Sequence, residues 1–229
     1  MSPKIVTSVA NGNGGGILPL LLMDTLSIGQ AVAGQIANTG WPEWVAIGGA
    51  ILYLVLAARE SPWCWFWGII SCAFWAYVAY AEYALFVDAL LQVFYVLISF
   101  WGLYAWLYGG QAHDALPIGV LPLRSHVGII LAGLLLTLVV GYFFDQYTPA
   151  AATYPDAFTT VFSVIATFMV IYKKLENWLY WLVIDTVYLF LYGSRGGYLF
   201  VLLFVVYLVL AVVGYLRWRR EFERNLNSI

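Results

Sequence analysis

The chain has 229 residues, of which 63% are hydrophobic and 10% charged, with a mean hydropathy of +0.86. A soluble domain has about 25% charged residues, and a fold in water cannot hide this much apolar surface, so the solvent for most of the chain is lipid. A net charge of −2 without a folded basic patch argues against nucleic-acid binding, which needs cations to neutralise phosphates.

Residues 1–16 are polar and glycine-rich (NGNGGG), and the apolar run that starts at Ile17 is broken by Asp24 and followed by Gln30, Gln35 and Asn38. This is not a secretory signal. Residues 17–37 read as a short interfacial helix, with an extra span as the alternative, and 1–40 as the N-terminal tail that carries it. Seven later segments have the roughly 20 apolar residues a spanning helix needs. They are 42–58, 63–81, 84–107, 125–144, 157–172, 177–193 and 197–216. Connections are short except 108–124, with Gly109, Gly110, Pro117 and Pro122, and 145–156, with Pro149 and Pro155. These are breaker residues at water boundaries.

Neither Cys64 and Cys72, both in one apolar segment, nor His113 and His126 have metal-ligand spacing. The cysteines read as packing residues. No nucleophile elbow, zincin or phosphate-loop motif occurs, so no enzyme, cofactor or metal is expected. Cations orient the bundle. With seven alternating spans, Arg59, Arg124, Lys173, Lys174, Arg217, Arg219, Arg220 and Arg224 share one side, and Arg195 and Lys4 the other. The bias puts the C-terminus in the cytoplasm.

The chain repeats itself. WGLYAW (101–106) and GYLRW (214–218) both contain G-x-x-x-W. Trp67 and Ser71 match Trp181 and Asp185, and ALFV (84–87) matches YLFV (198–201). The domain reading is therefore a three-helix repeat over 41–107, a loop and linker helix over 108–156, a second repeat over 157–217 and a basic tail over 218–229. One linker helix between three-helix units makes the copies parallel, a transporter plan in which substrate sits at mid-depth between repeats.

Polar side chains fall on narrow stripes, given about 100° per helical residue. On the sixth span Trp178, Trp181, Asp185 and Tyr188 share one face. On the third, Asp88, Gln92, Tyr95, Ser99 and Gly102 do so, and on the fifth, Asp156, Thr160, Ser163 and Thr167. A carboxylate at membrane depth costs about 2.5–3.5 kcal/mol, so Asp185 faces protein or water and has a task. It suits a cation or a sugar hydroxyl, and Trp178 and Trp181 offer faces for a cationic or heteroaromatic ring. The candidate substrate-binding set is Trp67, Asp88, Gln92, Tyr95, Ser99, Thr160, Trp178, Trp181, Asp185 and Tyr188. Against this stand belt tryptophans, helix-knitting hydroxyls, and an ion-paired surface role for Glu60 and Glu176 with Arg59, Lys173 or Lys174.

SPWCWFWGIIS (61–71), LFVDALLQVFYVLISFWGLYAW (85–106), PDAF (155–158) and KKLENWLYWLVIDTVYLFLYGSRGGYLF (173–200) resemble the Pnu-type vitamin transporters, whose best-known members are the PnuC nicotinamide riboside transporters of bacteria. The resemblance implies an all-α, seven-helix, three-plus-one-plus-three bundle similar to the SWEET sugar transporters. It also implies a homotrimer in the bacterial inner membrane. Transport would be facilitated diffusion of an unphosphorylated vitamin precursor, trapped inside by a cytoplasmic kinase. One position departs: several nicotinamide riboside members have asparagine where this chain has Asp185. Nicotinamide riboside and thiamine both bear a ring cation, so an acid suits either, and riboflavin carriers also occur in the family. The expected function is uptake of nicotinamide riboside by alternating access. The rivals are thiamine transport of the same kind and a non-transporting membrane scaffold.

Overall fold

The computed structural model describes residues 17–82, 86–110, 115–147 and 153–227. Lys4, the NGNGGG tract, Ala84, Leu85, His113 and Pro149 lie outside them. Among the described residues the secondary structure is eight helices. α1 (Ile17–Asn38) forms a unit of its own, a 22-residue helix, so the expected helix at 17–37 exists. The remaining helices form the second unit, which starts at Thr39. They are α2 (Trp41–Ala58), α3 (Trp63–Ala81), α4 (Phe86–Tyr108), α5 (Leu123–Tyr147), α6 (Thr153–Ile171), α7 (Asn177–Ser194) and α8 (Tyr198–Asn227).

Local chemistry sets the ends. Glu43 accepts a hydrogen bond from the Gly40 N–H at 2.7 Å, and Pro42 sits in the first turn, where its missing N–H is harmless, so α2 starts there. Six of the seven expected spans, α2 to α6 and α8, are long and apolar enough to cross a bilayer. α7 is as long as α2 but is diluted by Asn177, Asp185, two tryptophans and three tyrosines. Its polar positions Asn177 and Asp185 are buried, because α6 and α8 flank it.

α3 packs against α2 and α4, and α7 against α6 and α8; α5 lies on α6. The two groups meet reciprocally, α2 against α8 and α4 against α6. Local geometry repeats with them. The α2–α3 turn bonds Glu60 N–H to Ala57 O and Ser61 N–H to Leu56 O. The α6–α7 turn bonds Lys173 N–H to Val170 O and Lys174 N–H to Met169 O. Glu60 and Lys173 take the same left-handed backbone, φ 55° and 46°. The matched tryptophans after these turns are Trp65 and Trp178, a one-residue shift from the pairing of Trp67 with Trp181. In so apolar a chain single tryptophan matches cannot set register, whereas a left-handed turn can.

The core is aromatic. Trp65, Trp106, Trp178 and Trp218 are each no more than 1% exposed and cluster where α2, α4 and α6 end. Gly102 and Gly214 make this packing possible. A Cβ on Gly102 would lie 2.5 Å from the Trp65 ring, and one on Gly214 2.6 Å from Trp178. The glycine of G-x-x-x-W is thus a seat for the tryptophan of the preceding helix.

Candidate functional site

α7 carries the chemistry. Asp185 is 4% exposed and so faces protein, not hydrocarbon. One turn on, the Tyr188 hydroxyl lies close to the side chains of Thr159 and Ser163 on α6. Its ring stacks on Phe204 of α8 at 4.8 Å and 15°. Tyr207 of α8 lies within electrostatic reach of Asp185 and of Cys72 on α3. Tyr95 of α4 lies within reach of Cys72 as well, and of Tyr188. The result is a mid-depth group of one carboxylate, three tyrosines, two hydroxyls and a thiol, drawn from both helix groups.

The expected residues divide. Asp185, Tyr188, Tyr95 and Ser163 come together. Gln92 is half-buried on α4, one turn before Tyr95. Ser99 bonds its own helix, Oγ to Tyr95 O at 2.7 Å, and Thr167 does the same to Ser163 O. Such back-bonding satisfies a hydroxyl without a ligand. Thr159, not Thr160, is the buried threonine that reaches Tyr188. Asp88 is exposed at the start of α4, within electrostatic reach of Asp156, which pairs with Arg195 at 3.1 Å. These three mark the far end of the bundle. Trp67 is half-buried beside Phe66. Trp178 lies two turns from Asp185, in the tryptophan cluster, edge-on to Trp218 at 5.5 Å and 88°. Trp181 is half-buried between the two apolar cores and is the open member of the pair. Ser71, which the pairing of Trp67 with Trp181 sets against Asp185, donates to Ala46 O at 2.8 Å and joins α3 to α2, and in the register of the left-handed turns the counterpart of Asp185 is Cys72.

Sequence reasoning missed Tyr207, Thr159 and the site position of Cys72. A tyrosine amid the α8 aliphatics was the one signal for Tyr207. The ion pairs also differ from expectation. Glu60 pairs with Lys173 at 3.3 Å, across the two groups. Glu176 turns to the loop, accepting from Leu121 N–H at 3.0 Å and facing His126 at 3.7 Å. His126 in turn bonds Tyr180 at 3.0 Å. The segment around Gly119 is tied to the α6–α7 turn by Gly119 N–H to Lys173 O and Leu175 N–H to Gly119 O. An open groove of about 380 Å³ lies elsewhere, between α5 and α6, lined by Ile129, Ala132, Ile165, Phe168 and Lys174. It shares no residue with the Asp185 group.

The sequence profile of the nicotinamide mononucleotide transporter family matches residues 40–220. The chain belongs to this family. Its members are membrane transporters, not enzymes, and the family includes the PnuC proteins. The chain is 24% identical over 206 residues to the nicotinamide riboside transporter PnuC of Escherichia coli K12, covering 79% of this chain and 86% of that one. It is 25% identical over 208 residues to the transporter of the same name from Neisseria mucosa, covering 86% and 78%. The Haemophilus influenzae protein of that name is also 25% identical, over 193 residues, with 81% and 82% covered. A crystal structure of the vitamin B3 transporter PnuC shares the fold, with TM-score 0.68 and 23% identity over 92% of this chain and 94% of that one.

Proposed function

We propose that this protein carries nicotinamide riboside across the bacterial inner membrane by facilitated diffusion, with Asp185 at the centre of the substrate site. One observation supports this above others. A buried carboxylate midway along α7 has Tyr188 and Tyr207 within electrostatic reach, and Tyr95 and Cys72 of the other helix group adjoin those tyrosines, in a chain of a transporter family whose relatives are named for nicotinamide riboside. A pyridinium ring is a cation, and a carboxylate in a low dielectric attracts it strongly.

In this reading the ring stacks on Trp181, the half-buried tryptophan of α7. The ribose and amide are held by Gln92, Asp185 and the hydroxyls of Tyr188 and Ser163. The fold is a parallel three-plus-one-plus-three repeat of the SWEET kind, α2–α4 and α6–α8 joined by α5. The matched turns and reciprocal packing support that plan. The two groups rock about the site and open one face at a time, and the enclosed Asp185 represents an occluded state. A cytoplasmic kinase then traps the product, the C-terminus is cytoplasmic, and the assembly is a homotrimer.

Counterflow in proteoliposomes tests this reading. Vesicles loaded with unlabelled nicotinamide riboside should accumulate the labelled vitamin, and vesicles loaded with thiamine or riboflavin should not. Exchange of thiamine alone would overturn the substrate assignment. No exchange with any vitamin would overturn transport.

A further inference from the structure

The repeated G-x-x-x-W motif is not used by the Asp185 site, yet it builds the most symmetric feature of the molecule. Trp106 of α4 donates its indole N–H to Val170 O, in the last turn of α6, at 3.0 Å. Trp218 of α8 donates to Ala57 O, in the last turn of α2, at 2.9 Å. Each helix group thus reaches over and bonds the end of the first helix of the other. The two rings meet at 5.8 Å. Each is met edge-on by the tryptophan of its own group, Trp65 at 5.6 Å and 88°, Trp178 at 5.5 Å and 88°. Glu60 and Lys173, themselves counterparts, form the ion pair between the groups, and Lys173 Nζ lies 4.7 Å from the Trp106 ring.

Three features point to a joint made to part. First, the acceptor carbonyls already hold their own turns: Ala57 O accepts Glu60 N–H and Val170 O accepts Lys173 N–H. Separating the groups strands no buried carbonyl and releases only indole N–H groups and two charges, which water satisfies. Second, the position just past a helix end is left-handed and favours glycine, but here it holds a glutamate and a lysine at φ 55° and 46°. A left-handed backbone in a non-glycine residue is strained, and what the strained position gains is an ion pair spanning the two groups. Third, among the described residues the indole N–H groups of Trp65 and Trp178 have no acceptor. The packed state therefore keeps two polar groups unsatisfied, and opening relieves them.

We infer that the crossed tryptophans Trp106 and Trp218, latched by Glu60 and Lys173, are the gate that closes this end of the bundle. The end is the one the cation bias assigns to the cytoplasm. The inference rests on the transport reading above and adds to it the residues that must separate for substrate to leave. The alternative is a permanent joint, about which other parts move.

A reversible tether separates the two. Glu60→Cys/Lys173→Cys is treated with a short bifunctional methanethiosulfonate, and the link is located by mass spectrometry. A gate requires that tethering stop counterflow and that reductant restore it. The charge pair is tested alongside. Glu60→Lys or Lys173→Glu alone puts like charges together and should lower counterflow about tenfold, while the exchanged double variant should recover part of it, because the ion pair is restored although the cation over the Trp106 ring is not. Full counterflow in the tethered protein would overturn the gate, as would an exchanged variant no better than the singles. Wild-type counterflow is the reference throughout. If wild type itself exchanges no vitamin, the transport reading fails; if wild type exchanges and the tether changes nothing, only the gate fails.

Discussion

A single methyl group at Gly102 tests the packing on which the tryptophan cluster depends. In Gly102→Ala the new Cβ would stand 2.5 Å from three atoms of the Trp65 indole. That is an ångström or more inside the roughly 3.5–4.0 Å optimum for carbon contacts. Trp65 is 1% exposed and edge-on to both Trp106 and Tyr53, so its ring has no open direction in which to retreat. Overpacking of this kind costs about 1–3 kcal/mol. Alanine is also a better helix former than glycine by about 0.8–1 kcal/mol, so the reference is not wild type but Gly48→Ala, where a Cβ meets nothing within 4 Å. At about 2–4 °C per kcal/mol for a chain of this size, Gly102→Ala should melt about 2–12 °C below Gly48→Ala. The assay is tryptophan fluorescence during thermal unfolding of detergent-purified protein. Adding Trp65→Phe, which shortens the ring, should recover part of the difference. Equal melting temperatures for the two alanine variants would refute the account of Gly102 as a seat.

The remaining expectations concern the site and its supports. Gly214→Ala should repeat the Gly102 result, since its Cβ would stand 2.6 Å from Trp178; a melting temperature equal to that of Gly48→Ala would break the equivalence of the two repeats. Tyr188→Phe removes the hydroxyl that meets Thr159 and Ser163. It should weaken nicotinamide riboside binding about 2- to 10-fold, in line with about 0.5–1.5 kcal/mol per hydrogen bond, and an unchanged affinity in calorimetry would take Tyr188 out of the site. Glu176→Ala deletes the acceptor for Leu121 N–H and the partner of His126. Limited proteolysis should then cut between residues 115 and 122 faster than in wild type, with uptake retained; unchanged cleavage would mean that other contacts hold that loop.

The bundle was legible because lipid imposes simple rules: apolar stretches of spanning length and breakers between them mark helices whatever their partners. The duplicated G-x-x-x-W was legible too, as a pattern. Its purpose was not, because the polar partners of Trp106, Val170 O and Lys173, stand more than sixty residues away along the chain. Helical periodicity found the face of Asp185 and Tyr188, but it chose Thr160 over Thr159, neighbours about 100° apart on one helix. Such a choice depends on how α6 is rotated against α7, which packing decides. Trp178 shares the stripe of Asp185, and stripe membership was the ground for grouping them. Two turns of helix carry it about 10 Å along the axis, into the cluster at the bundle end. Glu60 and Glu176 resemble each other in sequence position and separate in role, since one faces the other helix group and one faces the loop before α5.

The most direct test of the account concerns the charge on Asp185. Calorimetric titration would compare nicotinamide riboside with its ring-reduced, uncharged counterpart, on wild type and on Asp185→Asn. A charge-assisted contact contributes about 1.5–3 kcal/mol, so wild type should favour the cation about 10- to 100-fold and Asp185→Asn should lose most of that preference while still binding. An equal preference for the cation in both proteins would contradict a carboxylate-centred site.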